Sequence, residues 1–138
     1  MIQLVYLDST NEHEYREYIK KVVRMVYVEK LIPEQLDVPE EVTLDKIVRG
    51  YKDCVLIALE DTTAGTLLFM LLSLGDESPH VVGGVATCAI TVGNTNNPKL
   101  GLQFMRIIKR IAKASGHSWL QVHHRIAPYT YRAKYYKV

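Results

Sequence analysis

At 138 residues, with 48% apolar and 23% charged side chains, the chain has the size and composition of one globular domain over 1–138. It does not read as disordered, collagen-like or coiled-coil. Its formal charge of +2 conceals a division: residues 1–77 carry 8 bases and all 15 acids, a net −7, whereas 78–138 carry 9 bases and no acid.

Such asymmetry points to a polyanionic partner without saying which. The longest apolar-rich stretch, Ala64 to Leu74, falls far short of the roughly 20 residues a spanning helix needs. The opening MIQLVYLDST lacks the basic region and apolar run of a signal peptide. Cys54 and Cys88 are too few for a disulfide framework or a zinc site, and their apolar, strand-like surroundings suit reduced core thiols. No metal centre and no membrane passage are expected, and the predicted compartment is cytoplasmic.

Ile2–Leu7 is short and weakly alternating, which predicts a strand. Ser9, Thr10 and Asn11 offer caps for a helix directly after it. From Glu12 to about Lys30, Tyr15, Tyr18, Ile19, Val22, Val23 and Val26 recur at helical spacing, and Pro33 closes that helix. Leu36–Glu41 reads as loop, after which Thr43 caps a short helix carrying Leu44, Ile47, Val48 and Tyr51. Residues 54–59 then form a strand, with turn chemistry at Asp61–Gly65 and a hairpin partner at 66–74. A third β-type run covers 81–92, bent near Gly83-Gly84.

The loop Asn94–Asn97 leads into the clearest helix, with Asn97 as cap and Pro98 at its first position. Phe104, Ile107, Ile108, Ile111 and Ala112 make its buried stripe, and Ser115-Gly116 ends it. Arg106, Lys109, Arg110 and Lys113 make its basic face. Residues 119–122 are a short strand, and the chain closes in the Tyr-rich stretch Arg125–Val138. Hairpin strands combined with one late β-α-β crossover make the class α+β with a mixed sheet.

The chemistry concentrates at Ile90–Gly101, where a strand runs through small polar residues into a helix N-terminus. Unpaired amides and the helix dipole there suit a phosphate group, and the same pattern also serves as a plain capped turn. Gly101 permits close approach of a ligand, and Lys99 adds a positive charge.

The run NNPKLGLQFMRIIKRIAKASGHSWLQV resembles the acetyl-CoA-binding core of the GNAT N-acetyltransferases. That core has a strand, a loop of the form Gln/Arg-x-x-Gly-x-Gly/Ala, a helix ending in Ala-x-x-x-Gly, and another strand. Counting back from Gly116, Ala112 takes the alanine, Gly101 the loop's final Gly/Ala, Lys99 its middle glycine and Asn96 its Gln/Arg. One of the three loop residues matches. The family's next pattern, Asn-x-x-Ala-x-x-Leu/Phe-Tyr-x-x-x-Gly-Phe, continues in register. His124 stands at Asn, Ala127 at Ala, Thr130 at Leu/Phe, Tyr131 at Tyr, and Tyr135-Tyr136 at Gly-Phe. Small, motif-poor members of this kind look like those found in bacteriophage genomes.

The resemblance implies a GNAT-like mixed five-stranded sheet flanked by helices, in the order β-α-α-β-β-β-α-β-α. The usual last two strands are missing, and a homodimer is one way to cover the open edge. It implies acetyl-CoA as co-substrate and transfer of an acetyl or short acyl group to an amine on a small molecule or protein. The backbone of Ile90, Thr91 and Val92 would pair with the pantetheine arm. Asn96, Asn97, Lys99, Leu100, Gly101 and Leu102 would meet the pyrophosphate, and Tyr131 would return a proton to the thiolate.

Members of the family usually supply a carboxylate base from this half, and here there is none. His123 and His124 are the candidates with a suitable side chain. Glu41 and Asp45 would approach the acceptor by the same analogy, and Cys88 is a weaker nucleophile candidate. The alternative is a GNAT-fold protein without catalysis, acting as a binding or structural component. A nucleic-acid partner ranks lowest, because the basic helix face carries no aromatic interleaving.

Overall fold

Period-two alternation in the apolar strands decides the layers. In β2 (Val55–Asp61), Leu56 and Ala58 point to one side and Ile57 and Leu59 to the other, all four essentially inaccessible. A strand buried on both faces needs a layer above and a layer below, which the helices supply. The computed structural model describes residues 1–76 and 78–138.

β1 (Ile2–Leu7), β2, β3 (Thr66–Asp76), β4 (Val85–Gly93), β5 (Trp119–Ala127) and β6 (Thr130–Lys137) lie side by side in chain order in one six-stranded sheet. Among the described residues only the β4–β5 pair is parallel. The crossover between those two strands is α3 (Pro98–Ala114). Leu100, Phe104, Ile108 and Ala112 of α3 pack on Ile57, Met70, Leu72, Cys88, Leu120 and Val122. The other face is covered by α1 (Glu12–Val28) and α2 (Glu40–Gly50), whose Tyr15, Ile19, Val22, Val23 and Leu44 meet Leu56, Ala58, Phe69 and Leu71. A short 3-10 turn, Pro33–Gln35, joins α1 to α2.

The helix ends obey local chemistry. Asn97 caps α3 by accepting from the Lys99 N–H at 3.1 Å. α3 stops at Gly116 (φ 84), where the His117 N–H reaches back to the Ala112 carbonyl at 3.0 Å. α1 stops the same way, but with Lys30 (φ 52) in the left-handed position and the Leu31 N–H on the Val26 carbonyl at 3.1 Å. The stop therefore precedes Pro33. α2 starts at Glu40 behind Pro39, so Thr43 lies inside it, where it meets the Tyr27 hydroxyl at 2.7 Å.

The α+β class and the mixed sheet stand, but the expected strand count and final helix do not. The sheet has six strands, and the segment after β5 is a strand, not a helix. Pro128 and Tyr129 (φ 60) make the turn, and β6 then pairs back along β5 from Ala127↔Thr130 to Trp119↔Lys137. Proline followed by a positive-φ residue is hairpin-turn chemistry, and a Tyr-rich run favours a strand. No helix among the described residues is long and apolar enough to cross a membrane.

Candidate functional site

Two irregularities open the sheet in one place. Between β3 and β4 the register passes from Leu72↔Cys88 to Leu71↔Ile90, leaving Ala89 as an extra residue, a bulge that bends β4. Between β4 and β5 the parallel ladder runs from Val85↔Trp119 to Cys88↔Val122 and ends. Past that point β4 stays with β3, and β5 goes on to Ala127 paired with β6 alone. Backbone groups of a strand point alternately to its two sides, so those of Ala89–Gly93 aimed away from β3 meet no neighbouring strand.

Ile90, Thr91 and Val92 line this split. Ile90 and Val92 are half-buried against the α1–α2 side, and Thr91 is exposed. Gly93 ends the strand, where an added Cβ would stand 2.5 Å from Leu68 Cδ2, so a side chain there would displace Leu68. Asn94 then fastens the loop. Its N–H donates to the Leu67 carbonyl at 3.2 Å, its Oδ1 accepts from the Leu67 N–H at 2.7 Å, and its Nδ2 donates to Glu29 at 3.1 Å.

The expected phosphate-binding residues come next, on the loop and the first turn of α3. Asn96, Asn97, Lys99, Gly101 and Leu102 are exposed, whereas the Leu100 side chain is buried in the core. Several of the amides are already occupied. Asn97 N–H donates to Thr95 Oγ1 at 3.1 Å, Lys99 N–H to Asn97 Oδ1 at 3.1 Å, and Gly101 N–H to the Asn97 carbonyl at 3.1 Å. An anion seated here would take the place of the Asn97 cap. Beside Gly101 there is open space, with nothing within 4 Å of an added Cβ.

His123, His124 and Tyr131 all lie on the ribbon that β5 and β6 form beyond the split, and all three are exposed. His123 sits opposite Ala133 and Arg125 opposite Tyr131, which makes His123 and Tyr131 diagonal neighbours on one face, roughly 7–8 Å apart by strand geometry. His124 points to the other face, where its Nε2 is 3.2 Å from the Tyr136 hydroxyl. The structure thus joins His123 with Tyr131 and separates His124 from both.

Besides Glu29 on Asn94, a second carboxylate meets this half, from the 3-10 turn. Glu34 accepts two hydrogen bonds from Arg125, at 3.0 and 2.8 Å. A single acid in a Pro-flanked loop gave no sequence signal of that contact. Asp45, by contrast, pairs with Arg16 at 3.0 Å, and Glu41 faces a hollow between α1 and α2 to which neither β4 nor β5 contributes. A second hollow lies between α1 and the β2–β3 hairpin, with Asn94 at its rim. Cys88, last in the β4–β5 ladder, is buried, and burial pushes its thiol up to about 12. Burial of this kind disfavours the thiolate that a nucleophile needs.

No cluster of three or more His, Cys, Asp or Glu able to hold a metal ion occurs among the described residues. No protein-family model matches the chain, and no curated protein does.

Proposed function

We propose that the protein is a GNAT-type N-acyltransferase that uses acetyl-CoA and passes an acetyl or short acyl group to an amine. The observation that carries this reading is the split between β4 and β5, which opens beside the N-terminus of α3. A pantetheine arm carries two amide groups and can add to the free edge of Ile90–Val92 as a short strand would. The diphosphate then falls to the first turn of α3, near Asn96, Lys99 and Gly101, where the helix dipole and the Lys99 charge favour anions.

In the transfer, the amine nitrogen bonds to the thioester carbonyl carbon and the carbon–sulfur bond breaks. His123 takes the proton released by nitrogen. Tyr131, its diagonal neighbour, gives the hydroxyl proton to the departing thiolate. The acidic half of the chain favours a cationic acceptor such as a lysine side chain or a polyamine.

A second reading is a GNAT-like protein that binds without turnover. It is favoured by the state of Glu34, since that carboxylate is held in a two-bond fork by Arg125 and is not free to act as a base.

Titration calorimetry with acetyl-CoA tests the shared part of both readings. Absence of binding at about millimolar ligand, the weak end of ordinary affinities, would remove them together. Where binding is found, thiol release over a panel of amines separates the two. Tyr131→Phe is expected to slow release by a factor of about 100, the lower end for a general acid, and an unchanged rate removes its assignment.

A further inference from the structure

The α3–β5–β6 face brings together residues that are scattered in the sequence. Lys134 and Tyr136 of β6 point to the side covered by α3, as does His124 of β5. The Lys109 ammonium of α3 lies 5.6 Å from the centre of the Tyr136 ring and that of Lys134 lies 5.2 Å from it. The His124 ring meets Tyr136 edge-on at 6.4 Å. Arg132, opposite His124, extends the same face along the ribbon. Arg106, Arg110 and Lys113 continue it along the helix, all exposed.

None of these bases joins a salt bridge among the described residues. Viewed alone, the helix face is a row of cations without aromatic groups. The fold lays the partly buried Tyr136 ring beside it, under Lys109 and Lys134, and the ribbon ends in Tyr129, whose ring is free at 79% exposed. Cations that track a phosphate backbone together with accessible rings on which bases stack are the combination single strands require. The α3 end of the patch stands apart from the split, whereas Arg132 and Tyr129 lie on the ribbon beside Tyr131. Lys109 is eleven positions along α3 from Pro98, roughly 16 Å at the helical rise.

We propose that this face binds single-stranded nucleic acid. Lys109, Arg132 and Lys134 meet successive phosphates, and Tyr129 at the end of the ribbon stacks on a base. An acidic peptide would satisfy the cations but leave the exposed ring unused. An anionic membrane would engage the same cations and is an outcome of the test.

The experiment is fluorescence anisotropy with a labelled mixed-sequence single strand of about 20 nucleotides, longer than a typical single-domain footprint. Binding is expected in the micromolar range at about 50 mM salt, falling with salt at a slope of about −0.7 for each phosphate neutralised, thus near −2 for three. The double variant Lys109→Gln/Lys134→Gln is expected to bind about tenfold more weakly or worse, with a slope smaller by about 1.4. Lys46→Gln, on α2, serves as the control and is expected to change nothing. An abasic strand of equal length is expected to bind several-fold more weakly than the natural one.

The proposal is overturned by absence of binding at about 100 μM protein, a concentration well within reach of ordinary non-specific affinities. It is equally overturned by undiminished binding in the double variant, by equal affinity for the abasic strand, or by tighter binding to phosphatidylserine-containing vesicles.

Discussion

Arg125 on β5 grips Glu34 of the 3-10 turn with two bonds, Nε to Oε1 at 3.0 Å and Nη2 to Oε2 at 2.8 Å. It is the one ion pair among the described residues that joins the basic half of the chain to the acidic half. Its two members are unequally covered, Glu34 being 7% exposed at the side chain and Arg125 38%. Arg125→Ala therefore leaves a largely covered carboxylate without its partner and is expected to cost about 2 kcal/mol. Glu34→Ala leaves a guanidinium that water still reaches and should cost about 1 kcal/mol. Urea melts of the two variants check the order, and equal losses would show that the carboxylate finds another partner.

A second polar group links α1 to the sheet. Glu60 of β2 accepts from Lys21 at 2.7 Å and also from the Tyr18 hydroxyl. Burial pushes the Glu60 carboxyl up, but the two hydrogen bonds and the Lys21 charge outweigh it and hold the group below its ordinary 4.5. Burial, reinforced by Glu60, pushes the Tyr18 phenol far up. A carboxyl with a lowered folded-state value contributes its full stability above about 4.5. That contribution fades as pH falls through the folded value. Glu60→Gln is expected to unfold at lower urea than the parent at pH 7, with the gap narrowing below about pH 4. A gap independent of pH would place the loss in packing instead.

Both cysteines are core residues. Burial, followed by the nearby Asp76 and Asp53 charges, pushes the Cys54 thiol up, and burial alone raises Cys88 to about 12. The folded protein is expected to resist a disulfide reagent at neutral pH and to release two thiols when denatured, since the sequence holds two cysteines. Rapid modification of Cys88 in the native state would mean that the β4–β5 split reaches deeper than Val122.

Lys30 carries a left-handed backbone (φ 52) at the position where α3 uses Gly116. The conformation costs a side-chain-bearing residue about 1 kcal/mol, and glycine adopts it freely. Lys30→Gly should raise the urea midpoint by that amount of stability with no change in slope.

The parts of this fold legible in the sequence are those whose determinants are local. The helical spacing of Tyr15, Ile19, Val22 and Val26, and the Asn97-Pro98 start of α3, need only neighbouring residues to be decisive. β6 was obscured because the expected last helix followed the family resemblance, while the pairing that makes Thr130–Lys137 a strand lies on β5. The split was legible only as a strand-loop-helix junction. Its cause is that the β4–β5 ladder stops at Cys88↔Val122, a contact between distant segments. The Lys109–Tyr136–Lys134 group was hidden for the same reason, because α3 and β6 meet only when the sheet forms.

Gly101 separates the proposed ligand from a plain helix start. It lies in the first turn of α3, is exposed, and has nothing within 4 Å of an added Cβ. In the free protein Gly101→Ala removes backbone freedom from the unfolded chain and adds no clash, so stability should rise by about 0.5–1 kcal/mol. If the diphosphate of an acyl-CoA rests against this turn, the same methyl group stands in its way and affinity should fall about tenfold, the equivalent of about 1.4 kcal/mol. Thermal unfolding without ligand and calorimetry with acetyl-CoA read the two effects separately. A variant that gains stability and binds acetyl-CoA as tightly as the parent would move the diphosphate away from the first turn of α3. It would leave Gly101 as a helix residue with no part in recognition.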